Sequence, residues 1–283
     1  MKINSRYDNL ILFFILLLLM LFAIYYVSVI KIILNDESRA YLKELSEQAK
    51  QKVEEKIDSK FELLALVSMR NKEELKNNYK TISHLKDNVI AESGFAEIIF
   101  ISADGRALVK DDNFESKEVN LKDEKYFIEA IQGKKYLSEK NDDNIVYAVP
   151  VYDNDKIIGV LCGLDEIKYL VDNFNYSLFN GMGYVFVLGN DGKVLWHFNP
   201  EYQEENFLNL VTMSGEEKNS NDVWKQDIFE YSFKGNKRYC GRVPIKSEYG
   251  DTGISLMVSM PYNYVFERTN NITAITTKFF LTL

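Results

Sequence analysis

Tyr184-Val185-Phe186-Val187-Leu188-Gly189-Asn190-Asp191-Gly192-Lys193-Val194-Leu195-Trp196 reads as a strand, a tight turn and a strand. Glu97-Ile98-Ile99-Phe100-Ile101-Ser102-Ala103-Asp104-Gly105-Arg106-Ala107-Leu108-Val109 reads the same way. Asp-Gly between apolar runs is a strong short-range hairpin signal. Downstream, Val149-Pro150-Val151 followed by Gly159-Val160-Leu161 recurs as Val243-Pro244-Ile245 followed by Gly253-Ile254-Ser255. The turns lie 87 residues apart, the prolines 94 and the glycines 94. Landmarks in one order at a nearly constant offset imply two mixed modules in tandem.

Each module reads as an antiparallel sheet with helices on one side, an α+β arrangement. In the first, strands are predicted near 96–102, 106–110, 135–138, 144–151 and 157–164. A short helix between them is capped by Asn120, has Asp123 at its third position, and stops at Gly133 after Tyr126, Phe127, Ala130 and Ile131. In the second, strands are predicted near 183–189, 193–197, 228–234, 237–245 and 253–259. A polar loop from Ser214 to Asp222 stands where helical signal is weak. Aligning Gly159 with Gly253 sets Asp165 opposite Ser259.

Ahead of the modules, Leu10 through Ile30 form 21 residues without a charge. At a helical rise of ~1.5 Å per residue this spans a hydrocarbon core of ~30 Å. The run continues through Tyr25, Tyr26 and Val27 into Lys31-Ile32-Ile33-Leu34 with no small-x-small cleavage site, so it reads as an uncleaved anchor. Lys2 and Arg6 precede it, which sets the amino terminus in the cytoplasm and the modules outside. Leu42, Leu45, Ala49, Val53, Ile57, Phe61 and Leu64 then recur at steps of three or four, as in one long amphipathic helix. A second helical segment is predicted from about Glu73 to Ala91. The tail from Thr269 to Leu283 turns apolar and reads as the opening of a second transmembrane helix, or as a surface tail.

The chain has 283 residues, 46% of them apolar, a formal charge of −8 and a pI near 5.1. That balance offers no basic cluster for nucleic acid. Cys162 and Cys240 fall in different modules and His84 and His197 are isolated, so free buried thiols are expected and neither a metal nor a cofactor is.

Several stretches carry a family likeness: Gly94-Phe95-Ala96-Glu97-Ile98-Ile99-Phe100-Ile101-Ser102-Ala103-Asp104-Gly105, Asp123-Glu124-Lys125-Tyr126-Phe127-Ile128-Glu129-Ala130-Ile131-Gln132-Gly133-Lys134, Tyr147-Ala148-Val149-Pro150-Val151-Tyr152, and Gly159-Val160-Leu161-Cys162-Gly163-Leu164-Asp165. With the anchor and long helix, they resemble the double Cache sensor domains of bacterial transmembrane receptors, over roughly residues 10–283. The resemblance implies two PAS-like modules on a stalk helix, the membrane-distal one binding a small molecule. The layout implied is a cytoplasmic terminus over 1–9, a transmembrane helix over 10–34, a stalk and second helix over 35–92, a distal module over 93–178, a proximal module over 179–266, and the start of a second transmembrane helix over 267–283.

Carried over by position, the ligand site would comprise Tyr126, Phe127, Tyr147 and Asp165, with Asp165 pairing with a ligand amine. Amino-acid-binding members carry an Arg two residues before the first aromatic, where this chain has Glu124, which shifts weight toward a cationic or neutral ligand. Aromatic rings and a carboxylate suit an amine. Packing of Tyr126 and Phe127 on the sheet, and capping by Asp165 of a helix starting at Glu166, explain the same residues.

Three function classes follow. The leading one is an anchored extracytoplasmic sensor for an amine, amino acid or other metabolite, passing occupancy along the stalk. The alternative is an anchored interaction protein, a homodimer through the stalk. An enzyme is not expected, because no Gly-x-Ser-x-Gly elbow, His-Glu-x-x-His or phosphate-cradling loop occurs.

Overall fold

The computed structural model describes residues 5–77, 94–110, 116–138, 144–171, 174, 183–213, 226–262 and 264. The apolar run and the amphipathic stalk stripe form one uninterrupted helix, α1 (Ser5–Arg70), followed by α2 (Lys72–Asn77). An 18-residue window of α1 has mean hydropathy 3.0 and no part of it is buried. The lower stalk behaves differently: Leu42, Ser46, Ala49, Val53, Ile57, Phe61 and Leu64 are buried on one side. The predicted stripe is therefore the packed face, with Leu45 only partly buried and Ser46 taking the inner position. Each large apolar residue moved from water contributes about 1.5–3 kcal/mol. The remainder of the predicted second helix, and the tail from 265 onward, lie outside the described residues, as does the 214–222 loop.

Two six-stranded antiparallel sheets pack against this stalk. The first holds β1 (Glu97–Ser102), β2 (Arg106–Lys110), β3 (Ser116–Asn120), β4 (Tyr136–Leu137), β5 (Asn144–Asp153) and β6 (Lys156–Glu166), in the order β3-β2-β1-β6-β5-β4. The second holds β7 (Tyr184–Gly189), β8 (Val194–Trp196), β9 (Thr212–Met213), β10 (Ile228–Phe233), β11 (Asn236–Ser247) and β12 (Gly250–Pro261), in the order β8-β7-β12-β11-β10-β9. The runs β2-β1-β6-β5-β4 and β8-β7-β12-β11-β10 share one connectivity, so the duplication is architectural. Both Asp-Gly turns form as predicted: Gly105 and Gly192 take φ of 88° and 81°, and donate to Ser102 and Gly189 carbonyls at 2.8 and 2.9 Å.

Strand pairing corrects the alignment of the copies. Ser102 faces Gly159, whereas its counterpart Gly189 faces Ile254, so Gly159 matches Ile254 rather than Gly253. Glu97 pairs with Leu164 and Tyr184 with Ser259, which sets Ser259 opposite Leu164 and leaves Asp165 opposite Met260. Irregular register between Val151 and Tyr152 and between Pro244 and Lys246 accounts for spacings that the sequence alone could not resolve.

Among the described residues, α-helices α3 (Lys125–Ala130), α4 (Ile167–Val171) and α5 (Phe207–Leu210) lie around the sheets. Contrary to expectation, Asn120 does not cap α3. Its Oδ1 accepts from Lys122 N at 3.0 Å in a local turn, and Glu124 occupies the N-cap with no side-chain bond. Asp165 does not cap α4 either, because β6 runs on through Glu166. The helix α5 that the sequence reading missed is capped by Asn206, whose Oδ1 accepts from Leu208 N at 3.0 Å.

Alternation along the strands divides the interior into layers. Ile98 and Phe100 turn toward the stalk, Ile99 and Ile101 away from it, and Val185 and Val187 against Phe186 and Leu188 do likewise. One cluster joins the stalk to the inner faces of both sheets, and a separate cluster covers each outer face. Each sheet thus stands between the stalk and its own outer cluster.

Candidate functional site

The four candidate residues fall on both sides of the first sheet. Phe127 and Ala130 of α3 pack on the outer face against Ala107, Ala148 and Cys162, with Tyr126 half-buried beside them. Small side chains of the sheet lie under this short aromatic-bearing helix in one apolar cluster. Burial, helped by Cys162 and Glu124, pushes the Tyr126 phenol well above its usual range, so it is a neutral donor at physiological pH. Burial also raises the Cys162 thiol, which packs as an inert small hydrophobe.

Tyr147 and Asp165 face the other way. Gly163, Asp165 and Tyr147 project toward the stalk, where Phe95 covers the space that a side chain at Gly163 would fill. Phe61 and Phe95 meet the Tyr147 ring edge-on at 5.2 and 5.5 Å. Asp165 is fully buried, and Lys60 Nζ of the stalk stands 3.2 Å from its Oδ2. The same ammonium donates to the Gly94 carbonyl at 2.7 Å and lies 4.3 Å from the Phe95 ring centre. The Tyr147 hydroxyl is buried with no hydrogen-bond partner among the described residues, and burial with the nearby Asp165 charge raises its pKa. The structure therefore brings Tyr126 together with Phe127, and Tyr147 together with Asp165, but not the two pairs with each other.

Lys60 was missed in the sequence, although a signal existed. It lies three residues after Ile57 and four before Leu64, in phase with the apolar stripe. A charge on a buried stripe needs a counter-charge.

The helix α3 is also tied to the rest of the molecule. From α3 the chain turns at Gly133, with φ of 92°, into β4. Leu137 N there donates to Tyr249 O of the second sheet's β11–β12 turn at 3.0 Å. Tyr249 in turn packs on Phe61 of the stalk at 4.4 Å between ring centres. No cluster of three or more His, Cys, Asp or Glu suited to a metal occurs among the described residues.

Solved structures share this architecture. The ligand-binding domain of the Pseudomonas aeruginosa PAO1 amino acid chemoreceptor PctB in complex with L-Arg matches with TM-score 0.56 and 17% identity, over 82% of this chain and 98% of that one. The sensory domain of the Campylobacter jejuni chemoreceptor Tlp3 with isoleucine bound matches with TM-score 0.57 and 14% identity, over 83% and 97%. The ligand-binding domain of the Pseudomonas fluorescens chemoreceptor CtaA in complex with L-alanine matches with TM-score 0.57 and 17% identity, over 80% and 98%. No curated protein matches the sequence. Cache domains are sensory ligand-binding domains rather than enzymes. The sequence profile of the Cache domain spans residues 31–269, together with the paired sheets and the stalk that the structure shows, and the chain belongs to that family.

Proposed function

We propose that the chain is the extracytoplasmic sensing part of a membrane receptor, anchored through the apolar half of α1. A small metabolite such as an amino acid or amine binds in the outer chamber of the first sheet, under Tyr126 and Phe127. The observation that carries this reading is the layering: one face of the first sheet is packed on the stalk, and the other packs small side chains under a short aromatic helix, apart from the stalk. The similar solved domains carry an arginine, an isoleucine and an alanine.

Two links support a relay to the stalk. One is the path from α3 through Gly133 and Leu137 to Tyr249 and Phe61. The other is the Lys60–Asp165 pair, which holds the helix against the sheet at one register. Occupancy of the chamber shifts α3 and β4, and the stalk follows. A second copy packing along the stalk would cover Tyr41, Leu66 and Met69, which are exposed on α1.

The test is a thermal-shift screen of the full chain in detergent against amino acids, amines, organic acids and purines, followed by titration of any hit. Phe127→Glu, which sets a charge in the chamber, should abolish binding. A hit that binds this folded variant as tightly as the wild type would show that the chamber is not the site.

A further inference from the structure

Strand β11 runs alongside α1 in the same direction. The Tyr239 hydroxyl donates to Asn35 Oδ1, and Arg39 stands 6.0 Å over the Tyr239 ring. Gly241 lies against Leu42 and Ser46. Further on, Lys246 N donates to Glu54 Oε1 at 3.4 Å. Residue numbers on the strand and on the helix rise together, so the start of β11 points back toward the apolar run.

That direction gives the β10–β11 turn a height. Asn236 precedes Gly241 by five residues, about 17 Å at a strand rise of ~3.3 Å. The same length is about eleven residues of helix, which sets the turn beside Lys31 to Asn35 when counted back from Leu42 and Ser46. The uncharged run ends at Ile30. A headgroup layer extends about 5–7 Å beyond the hydrocarbon core, or roughly four residues of helix. The turn therefore falls at headgroup level.

Its chemistry suits that place. Phe233 pairs with Asn236, and Lys234 and Gly235 take φ of 49° and 79°, as in a two-residue type I′ hairpin. Residues 234–237 are exposed, and a side chain at Gly235 would meet nothing within 4 Å. In a chain of formal charge −8, the stretch from Tyr231 to Gly241 has three cations and no carboxylate. One of them, Arg238, turns inward and donates to Ser259 Oγ at 2.7 Å. Lys234 stands 5.1 Å over the Tyr202 ring with Glu201 nearby, and Lys237 5.7 Å over the Tyr262 ring, which stacks on Tyr239. Lys31, one helical turn before Asn35, adds a cation on the same face of α1, whereas Asp36 and Glu37 lie on other faces. Glu230 faces Arg39 at 3.8 Å, and Asp227 faces Lys43 at 3.5 Å. Tyrosines favour the membrane–water boundary, and lysines close to an anionic leaflet are drawn to it.

We propose that the β10–β11 turn is a lipid-contact site, at which Lys234 and Lys237, together with Lys31, bind the phosphates of anionic phospholipids in the leaflet from which α1 emerges. This rests on the reading of α1 as a membrane anchor. The contact gives the second module a foothold on the membrane apart from the helix.

Headgroup quenching of the full chain in nanodiscs tests it. A fluorophore is placed on Asn236→Cys and, separately, on Asp155→Cys; Cys162 and Cys240 are buried. Asp155 marks the far end, since the neighbouring Asp153 pairs with Lys72 and Lys76, about 60 Å of helix beyond Ile30. The discs contain phosphatidylcholine with or without phosphatidylglycerol, each with a lipid spin-labelled on its headgroup. Emission at 236 should fall at least about twofold in the phosphatidylglycerol discs and clearly less in phosphatidylcholine alone, with no fall at 155. Lys234→Asn combined with Lys237→Gln, both at exposed positions, should erase the difference between the discs, as should high salt. Emission at 236 that is quenched no more than at 155 overturns the proposal and leaves the anchor standing. Equal quenching in both kinds of disc, or a lipid preference retained in the double variant, also overturns it. A chain that does not enter the discs overturns the anchor reading, and this proposal with it.

Discussion

Lys60 and Asp165 meet in the interior, Nζ to Oδ2 at 3.2 Å, one on the stalk and the other on the inner face of the first sheet. Charges taken out of water recover their desolvation cost only while they face each other. Lys60→Met should therefore destabilise the protein by about 3–5 kcal/mol, and Lys60→Met with Asp165→Leu by much less. Chemical denaturation of the two variants measures the difference. Equal losses would mean that the two charges do not depend on each other.

Tyr147 gives an opposite-signed prediction. Its hydroxyl is buried without a partner among the described residues, beside the Asp165 charge. An unsatisfied buried group costs about 1–3 kcal/mol, so Tyr147→Phe should leave stability unchanged or raise it. Ligand affinity should also hold, since Tyr147 faces the stalk. A tenfold loss of affinity would instead assign the hydroxyl to the ligand.

At Gly241 the stalk lies tight against the second sheet. A Cβ there would lie 2.1 Å from Ser46 Oγ and 3.2 Å from Ser46 Cβ. Gly241→Ala should lower the unfolding midpoint, by about 1–3 kcal/mol in stability, because the buried Ser46 side chain, held by its bond to the Leu42 carbonyl, must give way. Adding Ser46→Gly should restore most of it. No effect of the single change would mean that the stalk is not seated at this position.

His197 makes stability depend on pH. Burial, and to a lesser degree Arg238, push its imidazole down to about 4 from the usual 6.5. Below pH 6.5 the unfolded chain takes up a proton that the folded one refuses until about pH 4. The unfolded state then binds more protons, so stability rises with pH across that window and falls on acidification. The loss should be on the order of 1–2 kcal/mol, allowing for partial solvent access. Urea midpoints at pH 4.5 and 7 should differ for the wild type and converge for His197→Phe. An unchanged slope in the variant would assign the dependence to other groups.

The duplicated architecture was legible because Asp-Gly turns and alternating strands are local signals, and the Leu42-to-Leu64 stripe was legible because helical periodicity is too. Side-chain direction in the site was not. The resemblance turned Asp165 toward a ligand, whereas in the folded sheet it faces Lys60 of the stalk; counting from Gly159 set it opposite Ser259, one residue off the match that strand pairing gives. The bulges that create the shift leave no mark in residue spacing. Lys60 was hidden for a different reason: its partner lies 105 residues away, and only the folded sheet brings them together. Asn120 carried the right residue type for a cap, but its local turn closed first, two residues ahead.

The central claim, that a small molecule held under Tyr126 and Phe127 is sensed by the stalk, is tested most directly by hydrogen–deuterium exchange of the full chain with and without a ligand found in the screen. The account predicts slowed exchange in 125–137 and 144–149, together with a change in 57–64 of the stalk. Protection confined to the second sheet, or binding that leaves 125–137 and the stalk unaltered, would contradict it.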